Sequence, residues 1–227
     1  MKIPPIGKLI VLSAPSGTGK TSLVKALLKR SNDLIVSVST TTRKPRPGEV
    51  EGSDYFFVST CQFELLKTQG EFIESAEVYG NLYGTSENWI KNKIIAGKNI
   101  LLEIDWQGAQ QIKEKFKNSE NLITIFLKPP SLEELHKRLK DRGKDSDEII
   151  KKRISLATSD IEHSKEFQHV IINMDFDETV AKIENVTVDR LRSFAAHTAQ
   201  HAPTSLALYG PINRAPFLAE IKQNSAA

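Results

Sequence analysis

The stretch KLIVLSAPSGTGKTSLVKALL, residues Lys8–Leu28, decides the fold of this chain. Residues 8–13 contain a short apolar, β-branched run, which predicts a buried strand. Residues 14–19 are mostly small, and apolar residues then recur at the spacing of a helix face. A strand, a glycine-containing turn and a helix in this order predict a loop whose N–H groups and helix dipole face an anion. We therefore expect a site for the phosphates of a nucleoside triphosphate.

Four residues of this loop carry the predicted chemistry. Gly17 and Gly19 can take backbone angles that other residues resist, so the main chain can close on a ligand. Lys20 supplies a cation for the outer phosphates, and the hydroxyl of Thr21 suits a Mg²⁺ ligand. Because Ala14 stands where the generic pattern has its first glycine, an ordinary strand–helix turn containing GTGK is the alternative. The predicted phosphate-binding residues are Ala14, Pro15, Ser16, Gly17, Thr18, Gly19, Lys20 and Thr21.

The composition restricts the class of protein. A chain of 227 residues with 39% hydrophobic and 26% charged residues fits one compact α/β domain with insertions. The net charge of +3 suits an anionic small ligand and is too weak to argue for DNA binding. A single cysteine excludes an intrachain disulfide and a cysteine-rich metal site. The single cysteine agrees with a reducing compartment, and no apolar run approaches transmembrane length. We therefore expect a cytoplasmic protein without a membrane partner, and the weak charge predicts no nucleic-acid partner.

Apolar segments alternate with helical ones along the chain, and this alternation predicts an α/β fold with a parallel, doubly wound sheet flanked by helices. Residues 1–38 and 89–196 form the predicted core, and the β-rich residues 39–88 form an insertion. Within the insertion, residues 40–55 are predicted as a loop, and strand-like runs broken at Gly80, Asn81 and Gly84 predict a hairpin. The five predicted core strands lie near residues 8–13, 34–38, 99–105, 122–127 and 169–173.

The insertion begins with a cluster of hydroxyl and guanidinium groups. Ser39, Arg43 and Arg46 lie in one short span that ends with Tyr55. Arginine side chains grip phosphate oxygens in a bidentate manner, and a phenol adds a neutral donor. This pattern indicates a second phosphate site, whereas a solvated basic loop is the alternative interpretation of RKPRPG taken alone.

A second polar cluster follows in the same insertion, where Glu74 precedes Tyr83, Gly84 and Thr85. A carboxylate can accept hydrogen bonds from two adjacent N–H donors. Guanine presents such donors at N1–H and its 2-amino group, whereas adenine has an acceptor at N1. The cluster therefore favours a guanine base, with its phosphate directed to the arginines.

Five segments in this order resemble the guanylate kinases of the bacterial type: SAPSGTGKTS, SVSTTTRKPRPGEVEGSDYFFV, EFIESAEVYGNLYGTS, EIDWQGAQQI and RLKDRG…KKR. The similarity extends from about Lys8 to Arg192, and many bacterial members also carry alanine at the position of Ala14. The resemblance implies a P-loop NTPase fold with a five-stranded parallel sheet, a GMP-binding insertion at 39–88 and a helical lid at about 134–153. It also implies Mg²⁺-dependent phosphoryl transfer from ATP to GMP, and to dGMP.

The resemblance assigns roles to individual residues. The implied GMP-binding residues are Ser39, Arg43, Arg46, Tyr55, Glu74, Tyr83, Gly84, Thr85, Glu103 and Asp105. The implied catalytic residues are Lys20, Arg43, Arg138, Arg142 and Arg153. The implied metal ligands are Thr21 and, through water, Asp105.

Glu103 departs from the family pattern, in which this strand ends with Asp-Ile-Asp. The extra methylene of Glu103 leaves its role open, so Asp105 is the better candidate for the water shell of Mg²⁺. For either acid the alternative is a carboxylate at a strand end that caps the next helix.

The predicted lid carries three arginines. Ser131 and Glu134 predict a capping box at the start of its first helix. Arg138 and Arg142 share one face of that helix, and Arg153 lies on the next one. The resemblance implies that these side chains reach the transferred phosphate, and a solvated helix paired with its own acidic residues is the alternative.

Three other functions stay open at this point. They are a guanylate-kinase-like interaction domain, a related kinase for another phosphorylated acceptor, and a nucleotide sensor with little turnover. The intact Gly17, Gly19, Lys20 and Thr21 argue against the interaction domain. A kinase for another acceptor would be expected to differ at Glu74 and Thr85, and the sequence alone leaves the nucleotide sensor open. The final helix is predicted from Asp177 to about Ala196. The role of the tail 197–227 and the choice between monomer and homo-oligomer are not predicted.

Overall fold

A computed structural model describes residues 7–186 of the protein except 32, 118, 144 and 145. The predicted tail 197–227 and the second half of the predicted final helix lie outside the described residues. The strands are β1 (Leu9–Ser13), β2 (Leu34–Val36), β3 (Thr40–Thr41), β4 (Phe56–Phe57), β5 (Phe72–Val78), β6 (Asn81–Ser86), β7 (Asn99–Glu103), β8 (Leu122–Lys128) and β9 (His169–Ile172).

The helices surround these strands in chain order. They are α1 (Lys20–Arg30), α2 (Thr60–Thr68), α3 (Glu87–Ile95), α4 (Trp106–Lys115), α5 (Leu132–Asp141) and α6 (Asp147–Glu162), followed by a 3₁₀ turn (His163–Glu166) and a helical segment at 176–186. Among the described residues, no helix combines the length and the apolar character needed to cross a membrane.

The core is a five-stranded parallel sheet in the order β2-β7-β1-β8-β9. The prediction of a parallel sheet flanked by helices is confirmed. All five residues of β1 are buried, because helices cover both faces of the sheet. Leu9 and Val11 pack in one apolar cluster with α4, while Ile10 and Leu12 pack in another with α1. The carboxyl ends of β1 and β7 lie side by side, since Leu12 pairs with Glu103.

The insertion forms a second sheet of four strands in the order β4-β3-β6-β5. The predicted hairpin is confirmed as β5 and β6, joined by Tyr79 and Gly80, which both have positive φ. Positive φ at both residues of a two-residue loop is typical of a type I′ turn, whose twist matches the strands.

Two details of the predicted insertion are wrong. Gly84 does not break a strand but lies within β6, where a Cβ would come 2.9 Å from the ring of Phe72. Glycine is therefore needed there for packing, not for a turn. The predicted loop 40–55 also begins with a short strand, because Thr40 and Thr41 pair with both β4 and β6.

The predicted capping box at the start of α5 is half formed. The hydroxyl of Ser131 accepts a hydrogen bond from the backbone N–H of Glu134 at 3.1 Å. The side chain of Glu134 accepts from Arg138 at 2.9 Å, so it pairs one turn ahead instead of returning to Ser131. Leu135 and Leu139, on the buried face of α5, pack with Ile150 and Ala157 of α6.

Candidate active site

A cavity of about 560 Å³ lies at the carboxyl edge of the core sheet. The loop after β1, the acids after β7, the insertion and the two helices α5 and α6 all contribute to its wall. Of the predicted site residues, the wall includes Ala14, Pro15, Ser16, Gly17, Gly19, Lys20, Thr21, Ser39, Arg46, Tyr55, Glu74, Tyr83, Glu103, Asp105, Arg138, Arg142 and Arg153. The structure therefore brings most of these residues around one space.

The phosphate loop has the backbone that its glycines predict. Gly17 and Gly19 have φ of 94° and 99°, in the left-handed region that disfavours other residues. A Cβ on Gly17 would also meet the side chain of Leu139 at 2.8 Å, so this position is closed by packing as well. Gly19 is the N-cap of α1 and provides no side-chain acceptor. The first N–H groups of α1 are therefore available to an anion.

Lys20 begins α1 and is anchored across the cavity edge. Its Nζ donates to the carbonyl oxygen of Ile104 at 3.3 Å, which ties the lysine to the segment after β7. The neighbouring hydroxyl of Thr21 donates to Oε1 of Glu103 at 2.7 Å. The longer side chain of Glu103 therefore reaches the residue that follows the phosphate loop. The sequence analysis left the role of this side chain open.

The oxygens of Thr21 and Glu103 fit the predicted Mg²⁺. Hydroxyl and carboxylate oxygens are the hard ligands that Mg²⁺ prefers, and it is bound by few protein groups together with phosphates and water. No cluster of three or more histidine, cysteine or acidic side chains suited to a metal occurs among the described residues.

Asp105 has a structural role that the alternative interpretation predicts. One of its carboxylate oxygens accepts from the backbone N–H of Gly108 at 2.9 Å and caps α4. The other accepts from the side-chain amide of Gln107 at 2.9 Å. Asp105 still faces the cavity. Its predicted place in the water shell of a metal stays a prediction beside this observed cap.

The part of the cavity wall that the insertion forms contains a buried carboxylate. Glu74 on β5 is only 3% exposed, and its Oε1 accepts from the hydroxyl of Thr85 on β6 at 2.5 Å. The Ser39 hydroxyl lies 3.4 Å from that of Thr85. Burial raises the pKa of Glu74 to about 7, and the charge of Asp105 adds to this effect, whereas the bond from Thr85 opposes it.

Aromatic rings and arginines lie beside this carboxylate. Tyr55 and Tyr83 pack edge to face with ring centroids 6.0 Å apart. Burial, followed by the nearby charge of Glu103, raises the pKa of Tyr55 to about 12, so this phenol stays a neutral donor near pH 7. Arg46 is exposed on the cavity wall, and its backbone N–H donates to Glu49 at 2.7 Å.

Arg43 is not part of the cavity wall. Its Nη2 donates to Glu49 at 2.8 Å, and its guanidinium lies 5.2 Å from the ring centroid of Tyr55. Burial opposes the charge of Arg43, but the bonds to Glu49 and Tyr83 outweigh burial and raise its pKa. The same ion pair lowers the pKa of Glu49 against the effect of burial. Glu49 thus positions Arg43. The charge pattern of the loop did not identify Glu49 as this partner.

The three arginines of the predicted lid line the cavity, and one of them contacts the phosphate loop. Arg153 Nη1 donates to the hydroxyl of Ser16 at 2.7 Å, and its guanidinium lies 5.5 Å from the ring centroid of Tyr79 in the β5–β6 turn. Arg138 donates to Glu134, as the alternative interpretation predicts, and also to the carbonyl oxygen of Asn173 at 3.3 Å. One arginine on α6 thus contacts both the phosphate loop and the insertion.

Four predicted residues do not reach the wall: Thr18, Arg43, Gly84 and Thr85. Thr18 and Thr85 are buried, and Thr85 acts through Glu74. The wall also includes Trp106 and Asp160, which the sequence analysis did not select. Burial and the charge of Asp105 raise the pKa of Asp160. Asp160 is brought to the cavity by the packing of α6, and no local sequence signal marks it.

Comparisons with known proteins agree with this geometry. The sequence model of the family described as guanylate kinase matches residues 6–189. The chain is 47% identical to the guanylate kinase of Thiobacillus denitrificans over 92% of its own length and 96% of that protein. It is 46% identical to the guanylate kinase of Rickettsia prowazekii, covering 87% of this chain and 99% of the relative.

A solved structure shares the fold. The crystal structure of guanylate kinase from Anaplasma phagocytophilum superposes with a TM-score of 0.67 at 36% identity, over 85% of this chain and 88% of the other. The family match spans both the phosphate loop and the insertion with its buried carboxylate. The chain belongs to the guanylate kinase family.

Proposed function

We propose that this protein transfers the γ-phosphoryl group of ATP to GMP, or to dGMP, and so produces ADP and GDP or dGDP. The observation that carries the proposal is the shared cavity. Its wall contains both the phosphate loop and the buried carboxylate of Glu74. A binding module for one nucleotide would need only one of these two features.

The donor end is assigned to residues 14–21. The N–H groups of the loop and of the first turn of α1 bind the β- and γ-phosphates, and Lys20 adds a positive charge. Thr21, with Glu103 as the acceptor of its hydroxyl proton, and Asp105 through water are the residues that would hold Mg²⁺. When bound, Mg²⁺ neutralises charge on the phosphate oxygens.

The acceptor end is assigned to the insertion 39–88. Glu74 reads guanine by accepting from N1–H and the 2-amino group, while Ser39 and Thr85 complete the polar contacts around the carboxylate. Against adenine the buried carboxylate would stay unpaired, and such a mismatch can cost a factor of about 10⁴ or more in specificity. The phosphate of the acceptor is bound by Arg46, Tyr55 and Tyr83, which line the cavity. Arg43, paired with Glu49 and lying beside Tyr55, adds a positive charge near that phosphate.

The reaction requires charge compensation more than proton transfer. The second pKa of a phosphate monoester is about 6, so the attacking oxygen of GMP is already mostly ionised near neutral pH and needs no general base. The main barrier is the approach of two polyanions in line. Lys20 and the arginines of the predicted lid, at about 134–153, lie around the transferred group and stabilise its charge. These arginines are Arg138, Arg142 and Arg153.

An ADP-release assay tests the proposal. With ATP and Mg²⁺, we expect rapid turnover with GMP and dGMP and little with AMP, UMP or CMP. Lys20→Met should reduce turnover by orders of magnitude and leave GMP binding in calorimetry intact, since Lys20 belongs to the donor end. Equal turnover with all five acceptors, or full activity of Lys20→Met, would contradict the assigned roles.

A further inference from the structure

The carboxylate of Glu74 lies against the first turn of α4, at a position where the helix has no side chain. A Cβ on Gly108 would lie 2.4 Å from Oε2 of Glu74 and 3.2 Å from its Cδ. The first distance is too short for a carbon atom to pack against the carboxylate unless one of them moves, and the second is a tight contact. Glycine inside a helix costs about 1 kcal/mol relative to alanine, so its presence here has to be explained by this contact.

The next turn of α4 fixes the strand that carries Glu74. The side-chain amide of Gln111 donates to the carbonyl oxygen of Ser75 at 2.7 Å and accepts from its backbone N–H at 3.0 Å. Gln107 also donates to the carbonyl oxygen of Glu77 at 3.3 Å. β5 is the edge of the second sheet, and these glutamines satisfy backbone groups that another strand would otherwise pair. The side-chain amide of Gln111 thus binds both the backbone N–H and the carbonyl oxygen of Ser75, the residue next to Glu74.

We propose that Gly108 is a specificity-determining position and that Gln111 is a positioning residue for the same contact. Because Gly108 has no side chain, Oε2 of Glu74 can lie against the surface of α4. Gln111 fixes the position of β5 along α4. Together they set where the carboxylate meets the N1–H and 2-amino donors of guanine. This inference rests on the proposed function, because neither residue is assigned a contact with substrate.

Gly108→Ala tests the inference. The added methyl group should displace the carboxylate, raise the KM for GMP roughly 10- to 100-fold, as for a lost hydrogen bond to a charged group, and reduce the preference for GMP over AMP. The KM for ATP should not change. In a Glu74→Gln background the same substitution should add little, because no carboxylate is left to misplace. A merely structural glycine in a helix would give an unchanged or more stable protein with unchanged selectivity.

A second pair of variants keeps the test decisive if Gly108→Ala does not fold. Gln111→Ala should raise the KM for GMP and spare that for ATP. Gln110→Ala is the matched control, because this neighbour donates to Glu166 at 2.7 Å and, within the described part of the chain, makes no side-chain hydrogen bond to β5. Wild-type KM and GMP preference in both Gly108→Ala and Gln111→Ala, or equal effects of Gln110→Ala and Gln111→Ala, would overturn the inference. A wild-type enzyme without GMP preference would instead refute the proposed function.

Discussion

Replacing Glu74 with glutamine should remove a pH dependence from the stability of the protein. Burial raises the pKa of Glu74 to about 7 in the native state, whereas its ordinary value is 4.5. Between pH 4.5 and about pH 7, Glu74 is therefore protonated in the native state and ionised in the unfolded chain. The sign follows from linkage: the contribution of this group to stability is complete below pH 4.5 and is lost as the pH rises through 7.

The size of this change in stability follows from the difference between the two pKa values. At about 1.4 kcal/mol per pH unit, the interval from 4.5 to about 7 corresponds to about 3 kcal/mol. Because glutamine has nearly the same shape and does not titrate in this range, the difference between wild type and Glu74→Gln isolates this contribution. From pH 4.5 to pH 8, the free energy of unfolding of the variant should rise by about 3 kcal/mol relative to wild type.

Urea unfolding at several pH values measures this difference directly. Glu77→Gln, which changes an exposed carboxylate on the same strand, is the control and should follow the wild-type pH dependence. Guanosine, which has no phosphate to titrate, should bind the wild type about tenfold more weakly per pH unit below 7, since it needs the ionised carboxylate. A constant stability difference between wild type and Glu74→Gln across the range would refute a raised pKa at this site.

Three further substitutions test other contacts of the cavity. Glu103→Ala removes the acceptor of the loop hydroxyl, so the Mg²⁺ concentration needed for half-maximal activity should rise about 10- to 100-fold, and an unchanged requirement in a metal titration would contradict this role. Tyr79→Leu removes the ring that faces Arg153 and should lower kcat/KM roughly 2- to 30-fold, whereas Tyr79→Phe keeps a ring and should lower it less, and equal kinetics of the two variants would argue against the ring contact. Glu49→Ala removes the acid that holds Arg43 and should raise the KM for GMP up to about fivefold without changing that for ATP, and a lower KM would show that the pair opposes binding.

The parts of the fold that local patterns determine could be predicted from the sequence. Continuous apolar runs mark buried parallel strands, and this pattern located β1, β7 and β8. The phosphate loop was predictable because its conformation depends on Gly17 and Gly19 themselves. The order of motifs then indicated that the insertion and the loop serve one site.

Features that depend on distant contacts could not be predicted. Gly84 was predicted to break a strand, and only the ring of Phe72 across the sheet explains why glycine is needed inside β6. Asp160 reaches the cavity wall through the packing of α6 and has no neighbouring signal in the sequence. The hydrogen bonds between Gln111 and the backbone of β5 join residues that are 36 positions apart, so no spacing rule for one helix or strand predicts them.

The most direct test of the central claim, that one cavity joins an ATP phosphate site to a guanine-reading site, is the fate of the γ-phosphoryl group under competition. The protein is incubated with Mg²⁺, ATP labelled in its γ-phosphate, and an equimolar mixture of GMP, AMP, UMP and CMP, and the labelled products are separated. We expect the label to appear in GDP almost exclusively. Label distributed among the four diphosphates, or released as inorganic phosphate, would contradict it.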